Sequence, residues 1–379
     1  MGIIDTRIRD LEQRLGQEVD EGLLPSVSAA IGYRGEIVWT ATQGDTTPTT
    51  RYPIFSCTKG LVAGVAWQLI GEGRLSPEDR VVEHFPEFGE NATGDQAPKA
   101  EITVEQLLTH TSGFPTAPLG PPEWLDRAAR VRRMASWRLN WAPGTRFEYH
   151  PTAAHWVLGE IIERIDGRTP GEAVTARIVE PLGIEGLALG VPEDRQDDIA
   201  TLVAVGEFPS SEELQALFGV STFDVGEVTQ DALLLFNEPA NRAVGVPGGG
   251  GVASASGLAC YYQALLHNPG GLWDPAVLAD ATGRIRVTLP DPMLGHASNR
   301  SLGLIIAGDD GRSALRGMGH RVSPRTFGHN GAGGQIAWAD PETGISFAYL
   351  TNGLDENFLR IARRTSSLSG KAALVTTDA

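Results

Sequence analysis

Ser56 and Lys59 stand three residues apart at the head of the run SCTKGLVAGVAWQLI. In a helix that spacing sets a hydroxyl and an amine on one face, a turn apart. Serine is a poor nucleophile until a neighbour takes its proton. A lysine can take it when an apolar setting favours the uncharged amine, and the positive end of the helix would lie near the developing charge. The pairing therefore points to covalent acyl transfer on Ser56 with Lys59 as base. By itself the spacing also fits a serine cap whose lysine reaches out to solvent.

Two further segments carry chemistry. Tyr149 lies in WAPGTRFEYHPTAAHWVLGEII, after a Pro-Gly turn and a short extended piece, just before a helix. Its phenol would relay protons with Lys59 and protonate a leaving group; a ring packed inside with its hydroxyl outside is the other reading. The run from Gly328 to Gly334, GHNGAGG, leads into an apolar strand. Glycines there let a substrate approach the strand edge, where a backbone N–H would complete an oxyanion hole with that of Ser56. Such a loop also serves as an ordinary turn.

The elements that must position these groups are legible from periodicity. Ser56 to Ile70 is apolar around nearly its whole circumference, which predicts a central, buried helix. Arg7 to Gly22 reads as an amphipathic first helix, and VSAAIGYRGEIVWTATQG as a hairpin turning at Arg34-Gly35. Ser76-Pro77 reads as a capped helix start. Thr103 with Gln106 and Thr169 with Glu172 have capping-box spacing. His155 to Ile165, 256 to 266, and 356 to 364 read as further helices. SLGLIIAG, GQIAWAD and GISFAYLTN read as strands, the last two joined at Pro341-Glu342-Thr343-Gly344. Residues 114–122 and 205–245 read as long loops of the kind that form lids or binding walls.

Strands at both ends thus flank helices in the middle. The expected fold is α/β of the α+β kind: one antiparallel sheet flanked by helices, with a mostly helical region packed beside it. The expected division is a sheet subdomain from 1–75 and 295–379 and a helical subdomain over 76–294, with the site in the cleft between them.

The 379 residues suit one large unit or two that share a cleft. Hydrophobic residues at 41% and charged residues at 21% leave room for a sizeable core. Lys plus Arg number 31 against 47 Asp plus Glu, a net charge of −16, which argues against a nucleic-acid partner. Cys57 and Cys260 are too few for a disulfide framework or a four-cysteine zinc site. His84, His110, His155, His267, His296 and His320 follow no metal-ligand spacing, so neither metal nor cofactor is expected. Without a cationic and apolar leader or a membrane-length apolar run, the chain reads as cytoplasmic. Gly2 and Thr6 match an acylation pattern too loose to carry weight. The sequence assigns no oligomeric state.

Taken together, FSCTKG, ITVEQLLTHTSGF, FEYHPTAAHWVLGEIIERIDG, PLGI, PGGGGVASASGLACYYQALL and FGHNGAGGQIAWADPETGISFAYLTN give nearly the whole chain a resemblance. It resembles the serine β-lactamase and penicillin-binding-protein superfamily, nearest the class C-like branch that holds family VIII carboxylesterases and D-aminopeptidases. The resemblance implies a mixed sheet with a helical domain, acylation of Ser56, Lys59 as base, and Tyr149 as relay and deacylation base. It also implies that His329 occupies the first position of a K-T-G-like triplet and that the Ala332 N–H is the second oxyanion donor. His110 and Ser112 would belong to a structural H-T-S-G turn, and Gly248 to Gly251 to a tight architectural approach.

Three departures bear on substrate. Where lactamase and peptidase members have Tyr, then Ser and Asn, this chain has Tyr149, His150 and Pro151, so an amide contact to substrate is lost. The triplet begins with His329, mostly neutral at pH 7, rather than with a permanently charged lysine. A class A-type S-D-N is absent, so no separate Glu-activated water is expected. The expectation is a carboxylesterase on small neutral esters, with amide chemistry on the same site (β-lactamase, D-amino-acid peptidase or transacylase) as alternative and a non-catalytic scaffold as a remote one. His150, His329, Asn330 and Gly331 are expected to meet substrate. Phe114, Trp124, Phe236 and Trp338 are expected either to shape an acyl or alcohol pocket or to pack in the core.

Overall fold

The computed structural model describes residues 3–222 and 228–376; Gly2 of the acylation pattern and 223–227 of the second long loop lie outside the described residues. Strands β1 (Ser26–Tyr33) and β2 (Glu36–Gly44) form the expected hairpin. Arg34 and Gly35 take φ of 55° and 84°, the left-handed pair that a tight turn between right-twisted strands requires. Strands β3 (Ile305–Ile306), β4 (Phe327–Gly331), β5 (Gln335–Asp340) and β6 (Ile345–Thr351) complete one antiparallel sheet of order β2-β1-β6-β5-β4-β3. The first strand of the chain pairs with the last of this sheet, Val27 opposite Thr351 and Ala30 opposite Ala348.

Five helices matter for the site: α1 (Asp5–Asp20), α2 (Thr58–Gly71), α3 (Ala153–Asp166), α4 (Ala255–His267) and α5 (Phe358–Ala372). Alternation along the strands gives the sheet two faces. Ile31, Ile336, Trp338 and Phe347 pack with Leu11 and Leu15 of α1 and Leu368 of α5. Ala30, Ala337, Ala339 and Ala348 form the other face, in one core with α2, α3 and α4. Small residues on that face let the helices sit close to it.

Helix α2 is buried continuously from Thr58 to Leu69, as an all-round apolar sequence demands. Its glycines admit aromatic neighbours: Tyr261 donates to the Gly60 carbonyl at 2.7 Å and the Trp273 indole to that of Gly64 at 2.8 Å. Among the described residues no helix is long and apolar enough to cross a membrane.

Several expectations shift at element ends. Both capping boxes form, but Ser76-Pro77 opens a turn, its Ser76 N–H held by the Asp79 carboxylate at 2.8 Å. SLGLIIAG contributes only Ile305–Ile306 to the sheet, because Gly303 takes φ of 87° and breaks the strand. The stretch 205–245 carries three short helices, and α5 runs two turns past Arg364.

Candidate active site

Chain direction at the nucleophile is set by strain. Phe55 takes φ of 44°, a region a bulky side chain adopts only when its surroundings hold it there. Ile54 N–H donates to the Gly251 carbonyl at 2.9 Å, and Gly251 N–H to Thr58 Oγ1 at 2.9 Å. Ser56 thus sits in a single 3-10 turn, Phe55–Cys57, that leads into α2. A Cβ on Gly251 would lie 2.7 Å from Thr58 Oγ1, so the glycine run is there for close approach.

Ser56 Oγ is 3.0 Å from Lys59 Nζ and receives the Tyr149 hydroxyl at 2.7 Å. Lys59 is fully buried and donates to the carbonyls of Pro151 at 2.6 Å and Gly248 at 2.7 Å. Two N–H bonds to carbonyls leave the lone pair of a neutral amine for the serine proton. Burial, helped by the charge of Arg300, holds Lys59 well below the ordinary lysine range. Burial pushes Tyr149 up to about 12, while the bond to Ser56 and the charge of Arg300 pull it back.

Tyr149 comes from an extended segment just ahead of α3. Its ring stands 4.6 Å from that of His110 and 6.2 Å from that of His329. His110 and Ser112 brace this segment. The His150 N–H donates to His110 Nδ1 at 3.2 Å, Ser112 Oγ lies 3.1 Å from His150 Nε2, and the Phe114 N–H donates to that same nitrogen at 3.2 Å.

Several residues expected at the substrate are placed elsewhere. His150 is fully buried, with Nδ1 against the Glu148 carbonyl at 2.6 Å; both nitrogens are spent on the scaffold, and burial lowers it to about 3. Phe114 packs between Trp137, Phe88 and the His150 ring. Trp338 belongs to the opposite face of the sheet, its indole N–H on Ser369 of α5 at 3.1 Å; alternation along β5 put it there. Asn330 points away from His329 by the same rule and leans on Gly317.

Other expected residues do come to the nucleophile. His329 is buried beside Tyr149, its backbone carbonyl taking the Cys57 thiol at 3.2 Å. Gly331 closes on the turn before Ser56: a Cβ there would be 2.4 Å from the Ile54 carbonyl oxygen. Among the described residues, the Ser56 and Ala332 N–H groups make no backbone hydrogen bond outside their own short helical turns. Phe236 packs edge-on against Phe55 at 5.8 Å and against Trp124 at 6.1 Å, an apolar wall beside Ser56. Trp124 also lines a cavity of about 360 Å³ with Trp156, Arg130 and Pro247.

Sequence reasoning missed four contributors. The carbonyls of Pro151 and Gly248 carry no side-chain signature. Arg300, from the segment before β3, lays its guanidinium 5.2 Å from the Phe147 ring and 5.3 Å from the Tyr149 ring; a charge inside NRSLGL was the available signal. His155 of α3 is buried at 5.9 Å from His110, and neither ring nitrogen has a partner among the described residues.

A hydroxyl, an amine and a phenol in line, reached by the glycine-bordered end of a sheet, is an arrangement for acyl transfer. The comparisons agree. The Beta-lactamase family profile matches residues 9–370. The esterase/beta-lactamase LipL of Mycobacterium tuberculosis is 27% identical over 87% of this chain and 75% of its own. A penicillin-binding protein homologue from Caulobacter crescentus superposes with a TM-score of 0.81 at 27% identity, covering 99% of both chains. EstA from Arthrobacter nitroguajacolicus shares the fold, with a TM-score of 0.77 at 24% identity over 97% of this chain and 98% of that one. With its family pattern spanning nearly the full sequence and its fold matched end to end, this chain belongs to the beta-lactamase family.

Proposed function

We propose that this serine hydrolase is a carboxylesterase that forms an acyl-enzyme on Ser56 and acts on small neutral esters. The observation that carries the reading is the position of Ser56 Oγ, 3.0 Å from Lys59 Nζ and 2.7 Å from the Tyr149 hydroxyl. Ser56 Oγ attacks the ester carbonyl while its proton passes to Lys59, and the oxyanion is held by the N–H groups of Ser56 and Ala332. Collapse breaks the ester C–O bond, and the proton returns through Tyr149 to the departing alcohol. A water then attacks the acyl carbon as its proton passes to Tyr149 and the phenol's own proton passes on to Lys59; collapse breaks the acyl C–O bond, frees the acid and returns that proton from Lys59 to Ser56 Oγ.

Preference for esters over lactams and peptides is supported by His329. Burial holds it well below its ordinary range, so it offers no charge at neutral pH where a lysine would offer one to a substrate carboxylate. Pro151 supplies a carbonyl to Lys59 and no side-chain amide to substrate. Two relatives, LipL of Mycobacterium tuberculosis and EstB of Burkholderia gladioli, are named as esterases. A cytoplasmic setting belongs to the same reading, supported by two cysteines that remain unpaired.

The test compares turnover of p-nitrophenyl butyrate with that of nitrocefin and a D-Ala-D-Ala peptide, together with fluorophosphonate labelling of wild type and Ser56→Ala. Ester turnover well above the other two, with labelling lost in Ser56→Ala, is expected. Nitrocefin turnover that rivals the ester would move the assignment to lactam hydrolysis. An unlabelled wild type would point to a binding protein on the same scaffold.

A further inference from the structure

We propose that Arg300 is a positioning residue, a fixed positive charge that biases Lys59 toward its neutral amine and Tyr149 toward its phenolate without touching substrate. The inference rests on the acyl-transfer cycle above.

Arg300 is held firmly. Its N–H donates to the Val287 carbonyl at 3.0 Å, and its own carbonyl accepts from Arg286 at 2.8 Å and Val287 at 3.2 Å. The residue is 8% exposed. A guanidinium removed this far from water ordinarily has a carboxylate partner. Among the described residues this one has neither an ion pair nor a side-chain hydrogen bond, and its Nε is buried without an acceptor. Its neighbours are the rings of Phe147 and Tyr149. Asp291 and Arg316 are close enough to act on it through space, with opposite signs, and Arg316 is already bound to Asp310 at 2.7 Å.

The groups that face Tyr149 and Lys59 explain what the charge does. His110 comes from the turn after Val104–Leu108, His150 follows Tyr149, His155 comes from α3 and His329 from β4. Burial holds all four imidazoles down, His150 to about 3, so at neutral pH they are uncharged. Lys59 Nζ stands 5.0 Å from the centre of the same Tyr149 ring, and among the described residues no carboxylate is hydrogen-bonded to either group. Arg300 is therefore the permanent charge felt at the pair among the described residues. A cation near an amine disfavours the ammonium, and a cation near a phenol favours the phenolate. Both effects ready the site, one for taking the serine proton and the other for activating the deacylating water.

The test is the pH profile of kcat/KM for p-nitrophenyl butyrate in wild type, Arg300→Met, Arg300→Gln and Arg300→Lys. Thermal unfolding and fluorophosphonate labelling identify variants that fold. Loss of the charge should move both limbs to higher pH by on the order of one unit. Activity on the acid limb should then fall about tenfold while activity on the plateau approaches that of wild type, and Arg300→Lys should restore most of the profile. Profiles of unchanged position with a uniform loss at every pH would overturn the proposal in favour of a packing role. An unshifted profile with a higher KM confined to esters that bear a carboxylate, such as mono-p-nitrophenyl glutarate, would overturn it in favour of a substrate anchor. Failure of the acyl-transfer reading looks different: wild type itself would neither turn over the ester nor label at Ser56.

Discussion

Lys59 has two carbonyls and one hydroxyl within hydrogen-bond reach, and its two protonation states treat them differently. An ammonium donates to all three. An amine donates to the Pro151 and Gly248 carbonyls and turns its lone pair to Ser56, which is the state that can accept a proton. The carbonyls thus fix where the lone pair points, and burial fixes that there is one. Lys59→Arg tests this, because a guanidinium stays protonated at every accessible pH. Its kcat/KM should fall by about 10²–10⁴, with no recovery up to pH 10; alkaline recovery would mean that another group is the base. Tyr149→Phe removes a hydroxyl whose hydrogen-bond partner is Ser56, so unfolding free energy should change by no more than about 1.5 kcal/mol. If Tyr149 activates the deacylating water, intact-mass spectra of that variant should show a persistent acyl adduct. A fast-clearing adduct would assign deacylation elsewhere.

Helix α2 and the strand end at Gly331 carry most of the positioning, and both could be read from sequence for the same reason. An apolar run without a polar face can only be central, and glycines crowded before a strand mark close backbone approach. What could not be read were groups whose role depends on partners far along the chain. The Gly248 carbonyl is 189 residues from Lys59, and Arg300 reaches Tyr149 from just ahead of a run that reads as an ordinary strand. Trp338 stays open between pocket and core in the sequence, and His150 is expected at substrate rather than in the scaffold, because an aromatic or histidine near a motif does not reveal which side of a strand or turn it faces. The small residues of α2 make their own prediction. A Cβ on Gly64 would lie 2.5 Å from the Tyr261 hydroxyl oxygen, so Gly64→Ala should cost about 1–3 kcal/mol in urea unfolding. Tyr261→Phe alone loses one hydrogen bond to Gly60, about 1 kcal/mol. With the hydroxyl gone the alanine meets Ile178 Cδ1, the end of a flexible side chain, at 3.2 Å and the Tyr261 ring carbon at 3.6 Å. The double variant should therefore be clearly more stable than the sum of the singles predicts; strict additivity would mean that helix and ring do not compete for that space.

At the scale of the molecule, the site and the chain ends are served by opposite faces of one sheet. On the outer face Arg364 of α5 is bound to Glu18 of α1 and to Asp355 at 2.8 Å, which joins the two terminal helices. On the inner face the catalytic segment rests on imidazoles that the fold keeps neutral, and this links stability to pH. His110, His150, His155 and His329 all lie below the ordinary histidine value because burial disfavours the charged ring. In the unfolded chain each takes up a proton near pH 6.5; in the folded protein none does until the pH is well lower, about 3 for His150. Below pH 6.5 the unfolded state binds more protons, so their contribution is fully present above that value and is lost as the pH falls. Each imidazole costs up to about 1.4 kcal/mol per pH unit in that window, and the four together remove about 6 kcal/mol between pH 6.5 and 5. That is a large share of the 5–15 kcal/mol typical of a folded protein. Urea unfolding at pH 7.5, 6.0 and 5.0 should show this fall, with close to four protons taken up on unfolding. His155→Leu should lessen the slope by one proton and raise stability at pH 5, since neither nitrogen of that ring has a hydrogen bond to lose. Equal stability at pH 7.5 and 5.0 would mean that the rings are reached by water and titrate as free histidines. The same coupling sets how activity ends in acid. His150 and His110 brace the segment that carries Tyr149, so protonating them breaks the support of the phenol, and activity should disappear together with the fold.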